Sequence, residues 1–168
     1  MIYSIKRALG LSLLFIGFIA NSQLKEIPNV NILKSSSEFR KLDVKVINTL
    51  KWLSSSESFS DKRNRKEHIA FVSSFLDKNP YLVYSPSKSL VKFRKRSEYN
   101  TQFKLGWMNY LLSYEYSKNN VENHYEAFTH VIEFYSAYKK EFGRNSYIEK
   151  LMKLKQDKQL RNYIKTNI

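Results

Sequence analysis

FKLGWMNYLLSYEY, Phe103 to Tyr116, is the most aromatic and apolar run beyond the first 22 residues, and it carries Gly106 near its middle. At about 100 degrees per residue its large side chains form two arcs. Phe103, Trp107, Tyr110 and Tyr114 make one, while Leu105, Met108, Leu112 and Tyr116 stand nearly opposite. A helix apolar on two sides is buried on both, so this stretch, from about Tyr99 to Ser117, is read as the central element of the fold. Gly106, Asn109 and Ser113 fill a strip between the arcs. Glycine there costs about 1 kcal/mol of helix propensity against alanine, and the offsetting gain is close approach of another backbone. The expected structural core is Phe103, Gly106, Trp107, Tyr110 and Tyr114, with Phe128, Ile132 and Tyr135 from the next helix.

Working outward, the remaining helices have readable ends. Ser35 and Glu38 stand at capping-box distance, and Phe39, Leu42, Val46, Leu50 and Leu53 recur at three- and four-residue steps behind them. That helix is expected to stop in SSSESFS, Ser54 to Ser60, read as a loop. Ser60 or Asp61 caps a second helix with Ile69, Val72, Phe75 and Leu76 inward, ending before Asn79-Pro80. YLVY, Tyr81 to Tyr84, is read as extended chain packed across helices, and SPSKSLVKFRKR, starting at Ser85, as a short basic helix. After Asn119 and Asn120, Val121, Tyr125, Phe128, Ile132 and Tyr135 mark a long helix that Gly143 caps. Ser146 and Glu149 suggest another capping box, opening a helix with Ile148, Leu151, Met152 and Leu154, and a last short helix holds Leu160, Tyr163 and Ile164.

Six or seven helices with so few turn residues predict an all-α protein, a single helical bundle or a short stack of helical hairpins. Trp107, Tyr110 and Tyr114 stand at the distances of the first tetratricopeptide helix, which this stretch loosely resembles. Leu111 replaces that motif's small residue and no second copy follows. With its leader, its GW-x2-Y helix and its EFYSAYKK helix, the chain resembles small exported helical proteins of Bacteroidetes-type bacteria. The resemblance implies export and an all-helical domain, and supplies no functional residue.

The leader itself is MIYSIKRALGLSLLFIGFIANSQ: Lys6 and Arg7 precede an uncharged run from Ala8 to Ala20, and Ala20 and Ser22 have the spacing of a cleavage site. The expected organisation is a signal peptide over 1–22, an extended arm over 23–34 and an all-helical domain over 35–168, exported to the periplasm or cell exterior. No later stretch is apolar and long enough to predict a membrane span. The chain has no cysteine, which excludes disulfides, thiol catalysis and lipoprotein attachment.

Formal charge is +14 at pH 7, two units of it from the leader's Lys6 and Arg7. Lysine dominates over arginine, the opposite of what bidentate phosphate and base recognition favours, so nucleic acid is not an expected partner. Anionic envelope components, or another exported protein, are. Lys88, Lys92, Arg94, Lys95, Arg96 and Lys104 form the densest basic segment, the candidate site for an anionic ligand.

No motif specifies a chemistry, so no cofactor, metal or catalytic residue is assigned. Two glycines beyond the leader cannot build a phosphate loop, and no nucleophile elbow occurs. Glu122, Glu126, His130 and Glu133 share one helix face and could in principle ligate a metal, but that face lies opposite the apolar arc and is expected to be solvated. Glu115, an acid among aromatics, would be the general acid of a glycan-cleaving helical enzyme, although Lys104 lies beside it on the wheel. The leading expectation is an exported helical binding or structural module, with polyanion binding and glycan cleavage as alternatives.

Overall fold

A computed structural model describes residues 26–93 and 97–168, so the expected leader over 1–22 and Arg94, Lys95 and Arg96 lie outside the described residues. The described chain is all-α, with eight α-helices and no strand among its described residues. No described helix is long and apolar enough to cross a membrane. The chain folds as two compact units, one ending at Lys78 and the other starting at Asn79.

In the first unit, a 3-10 turn at Val30–Ile32 interrupts the expected arm and buries Val30. The capping box forms as predicted: the Glu38 amide donates to Ser35 Oγ, and Glu38 Oε2 accepts from the Ser35 amide. The helix it opens is two helices, α1 (Ser36–Arg40) and α2 (Asp43–Leu53). The Leu42 amide closes back onto Phe39 O at 2.9 Å, a tight turn that breaks the α-helical ladder while keeping Phe39, Val46, Leu50 and Leu53 buried. The serine-rich stretch is not a loop. Ser56–Ser60 forms α3, and Ser58 is fully buried, hydrogen-bonded to Leu53 O and Ser55 O. Helix α4 (Lys62–Lys78) ends before Asn79-Pro80 as expected. Its buried face holds Phe71, Val72, Phe75 and Leu76, with Phe75 edge-on to Phe39 at 5.7 Å. Ile69 is only half-buried; Arg65 and His68 take the inward places instead.

The second unit begins with chain that has no regular structure from Leu82 to Ser87. The expected short basic helix is absent from its described part. The amides of Leu90 and Val91 both turn onto Ser87 O, while the Ser87 amide is taken by His124 Nε2 at 2.9 Å, so a tertiary bond replaces a helical start. Four helices follow: α5 (Glu98–Ser113), α6 (Asn120–Phe142), α7 (Ser146–Gln156) and α8 (Leu160–Asn167). Helix α5 packs chiefly on α6, while α7 and α8 pack on α6 and on each other. The preceding chain is stitched to these helices. Trp107 Nε1 donates to Val83 O at 3.3 Å, Tyr84 lies edge-on to Trp107, and the Tyr147 hydroxyl donates to Leu90 O.

Both arcs of α5 are buried at its amino-terminal end, Phe103 and Trp107 on one side and Leu105 and Met108 on the other. Phe128, Ile132 and Tyr135 complete the core on α6. The first arc then leaves the core. Tyr110 is half-buried and Tyr114 is 61 % exposed, correcting its expected core position. The helix stops at Ser113, short of the expected Ser117, because Glu115 and Tyr116 adopt left-handed backbone (φ 47° and 63°) and the Tyr116 amide bonds to Leu111 O at 2.7 Å.

Helix α6 starts from Asn119, whose side chain accepts the Glu122 amide, and ends at Gly143 (φ 87°, ψ 162°), a region only glycine occupies without strain. Helix α7 is capped by Asn145, not by the predicted Ser146 and Glu149 box. Asn145 Oδ1 accepts from the amides of Tyr147 and Ile148, and Glu149 is engaged by the Tyr135 hydroxyl and Arg144.

Candidate functional site

The crossing of α5 and α6 is the tightest helix contact at a glycine in the protein's described part. A Cβ built on Gly106 would stand 2.6 Å from His130 Cβ and 3.1 Å from Ala127 Cα. The backbones approach as the small-residue strip predicts. The partner is the face of α6 that carries His130, so the expectation of a solvated carboxylate and histidine face is corrected: Glu126 and His130 are half-buried beside α5, while Glu133 stays exposed.

Beside this closed point the two helices line a cleft of about 340 Å³. Asn109, Tyr110, Ser113 and Tyr114 form the α5 side, and Glu126, Thr129, His130 and Glu133 the α6 side. The spacing explains this: Gly106, Asn109 and Ser113 lie on one stripe of α5, while Glu126, Thr129, His130 and Glu133 recur at three- and four-residue steps on α6. The small strip that lets the helices touch at Gly106 has no large side chain to fill the space further along.

The cleft's polar groups are individually positioned. Gln102 donates its amide nitrogen to Glu98 Oε1 at 2.9 Å, which turns its oxygen to His130 Nε2 at 2.9 Å. His130 Nε2 is therefore the protonated, donating nitrogen. Burial holds the His130 imidazole below its ordinary pKa against the opposing pull of Glu133. Burial likewise pushes the Glu126 carboxyl up, with Arg161 acting the other way. Thr129 Oγ1 is buried with no hydrogen-bond partner, one of three such side-chain atoms among the described residues and the one that belongs to a residue lining the cleft. The rings of Tyr110 and Tyr114 lie 4.5 Å apart at 36° and form an aromatic wall. Burial raises the Tyr110 hydroxyl's pKa, with Glu122 and Glu126 adding to it.

The four residues of the predicted acidic and histidine face are thus separated by function. Glu122 holds Arg161 through both oxygens at 3.0 and 3.1 Å, and Arg161 also lies 3.6 Å above the Tyr125 ring. Glu133 faces Lys155 Nζ at 3.8 Å, and His130 faces Gln102. Among the described residues no three His, Cys, Asp or Glu side chains come together as metal ligands do. Glu115 is exposed beyond the end of α5 and does not line the cleft.

Of the basic segment, Lys88, Lys92 and Lys104 are exposed. Lys92 Nζ stands 5.7 Å from the Tyr147 ring and borders a second cleft of about 530 Å³ with Ser97 and Arg144. Arg144 is already bound to Glu149 at 3.0 Å. Lys104 Nζ lies 6.0 Å from the Tyr84 ring. Sequence reasoning missed Thr129 and misplaced Glu126, because the hydrophobic arc of α6 is centred elsewhere and its flank gives no sign that a second helix covers it. The available signal was the strip through Gly106, which says that some face must meet α5 closely without saying which. Comparison with protein-family models, with curated proteins and with solved structures finds no match to this chain, so the cleft's geometry alone carries its reading.

Proposed function

We propose that this protein is an exported helical binding module of the periplasm or cell exterior, holding a small polar ligand in the cleft between α5 and α6. The observation that carries the reading is the cleft itself, lined by Asn109, Glu126, Thr129 and the oriented His130 and walled by the Tyr110 and Tyr114 rings. The charged leader and its small-residue junction support export.

Two measurements test these points. Ring and methyl resonances of Tyr110, Tyr114 and Thr129 should shift together when small amino and hydroxy compounds are titrated, and a Ser113→Trp variant that fills the cleft should lose those shifts while keeping its helical spectrum. Shifts confined to other surfaces, or none from any compound, would remove the binding reading. Amino-terminal sequencing of protein recovered outside the cytoplasm should begin at Gln23; an intact amino terminus there would remove the cleavage reading.

A further inference from the structure

We infer that the ligand of the α5–α6 cleft is an organic cation that presents an ammonium group to Glu126 and the tyrosine pair. The inference rests on the binding reading above and adds the ligand's chemical class. In a chain with 29 basic and 15 acidic residues, a lining drawn at random would carry more basic than acidic side chains. The residues lining this one include two glutamates and neither lysine nor arginine. An anionic ligand would meet Glu126 and Glu133 directly, and a neutral one would add nothing to the partial compensation that Arg161 and Lys155 give them.

The neighbouring cations do not fill the role. Arg161 is committed to Glu122 through two hydrogen bonds and to the face of Tyr125. Lys155 reaches Glu133 at only 3.8 Å, and the Glu133 side chain is 68 % exposed, so this pair is long, solvent-screened and readily displaced. An ammonium group carries three donors and needs three acceptors. Among the residues lining the cleft, Glu126, Glu133 and Asn109 carry acceptor oxygens in that number. The Tyr110 and Tyr114 rings add the aromatic face on which a cation rests, and Tyr114 is exposed enough to receive it from solvent. The burial that makes the Glu126 carboxylate reluctant to ionise also makes it gain most from an incoming positive charge. Lys155, in this picture, is the resident competitor that the ligand's ammonium replaces at the rim.

Calorimetric titration at fixed ionic strength, with cleft resonances followed in parallel, tests this using spermidine, glucosamine, N-acetylglucosamine and magnesium chloride. Spermidine or glucosamine should bind and shift Tyr110, Tyr114 and Thr129, and the preferred one identifies a linear polyamine or an amino sugar as the source of the ammonium. N-acetylglucosamine, which lacks the charge, should bind at least about tenfold more weakly. Glu126→Gln should weaken binding by about tenfold, whereas Lys155→Met should tighten it severalfold because the competitor is gone. A purely structural Lys155 would give no tightening, so an unchanged or weakened Lys155→Met protein overturns the competitor role and the inference with it. N-acetylglucosamine matching glucosamine with the cleft resonances shifting would overturn the ammonium assignment and leave the binding reading standing. Equal competition by magnesium would also overturn it, reducing the effect to bare charge. No cleft shift from any probe, in a protein shown to be folded, would overturn both.

Discussion

Gly106 and His130 share one point of contact, and what happens there depends on a single missing methyl group. Gly106→Ala would gain about 1 kcal/mol in helix propensity, but the new Cβ would sit 2.6 Å from His130 Cβ and 3.1 Å from the Ala127 backbone. Neither is the flexible end of a side chain, so overpacking of about 1–3 kcal/mol outweighs the gain. Urea denaturation should give a lower midpoint for Gly106→Ala than for the parent; a higher one would mean that the helices slide apart freely. The glycine's role was legible in the sequence because a helix interior rarely carries one without a packing reason. Its partner was not, since nothing in a single helix's pattern names the residue across the crossing.

His124 is a second residue with one defined state. It is fully buried, its Nδ1–H donates to Asn120 O at 2.7 Å and its Nε2 accepts the Ser87 amide at 2.9 Å, amid Trp107, Phe103 and Phe128. Burial lowers its pKa in the fold, with the bond to Asn120 opposing. The unfolded chain therefore takes up a proton more readily than the folded one, and the same direction holds for His130. The stability contribution is complete above the ordinary histidine value of about 6.5 and declines as the pH falls below it. The denaturation midpoint should stay level between pH 7.5 and 8.5 and drop from about pH 6.5 downward, with a shallower drop in His124→Gln. A midpoint unchanged down to about pH 5 would show that the histidines ionise freely in the fold.

At the scale of elements, helix ends were read well where a side chain caps its own helix and poorly where another helix intervenes. Ser35 with Glu38 needs only local geometry, and it forms as spelled. Ser146 and Glu149 spell the same motif, but Tyr135 of α6 and Arg144 take the Glu149 carboxylate, and Asn145 becomes the cap. Asn145→Ala should cost about 1 kcal/mol while Ser146→Ala stays within a few tenths, as read by thermal unfolding. The reverse order would restore the sequence's first reading. The serine-rich α3 was illegible for a related reason, since its order depends on a distant buried arginine. Arg65 Nη1 donates to Leu53 O and Ser58 Oγ, and its guanidinium lies 4.3 Å above Phe59. Arg65→Met keeps much of the apolar stem but leaves Leu53 O short of that donor. It should destabilise the first unit by about 1–3 kcal/mol, visible as faster hydrogen exchange in α3 and α4.

At the scale of the whole molecule, composition decided the all-α class because two glycines and three prolines beyond residue 22 leave few turns to make. Composition could not decide what the charge does. The described lysines of the basic segment are exposed, and the cleft lined by α5 and α6 carries two glutamates and neither lysine nor arginine. Retention on an anionic matrix should therefore follow total charge. Neutralising Lys92, Arg94, Lys95 and Arg96 should lower the eluting salt no more than neutralising Lys51, Lys78, Lys139 and Lys153 does. A selective loss for the first set would favour polyanion binding at that segment.

The same scarcity of glycine has a thermodynamic consequence at two helix ends. Helix α5 turns out through Glu115 at φ 47°, and α7 through Lys158 at φ 58°, where the Gln159 amide closes onto Leu154 O at 2.8 Å. Each places a side-chain-bearing residue where the left-handed backbone costs about 1 kcal/mol or more. Lys158→Gly relieves that cost at a position with an exposed side chain, partly offset by the freer unfolded chain. The fold thus holds a reserve of unclaimed stability in its punctuation, and a chain edited at those two full stops should melt later than the one written here.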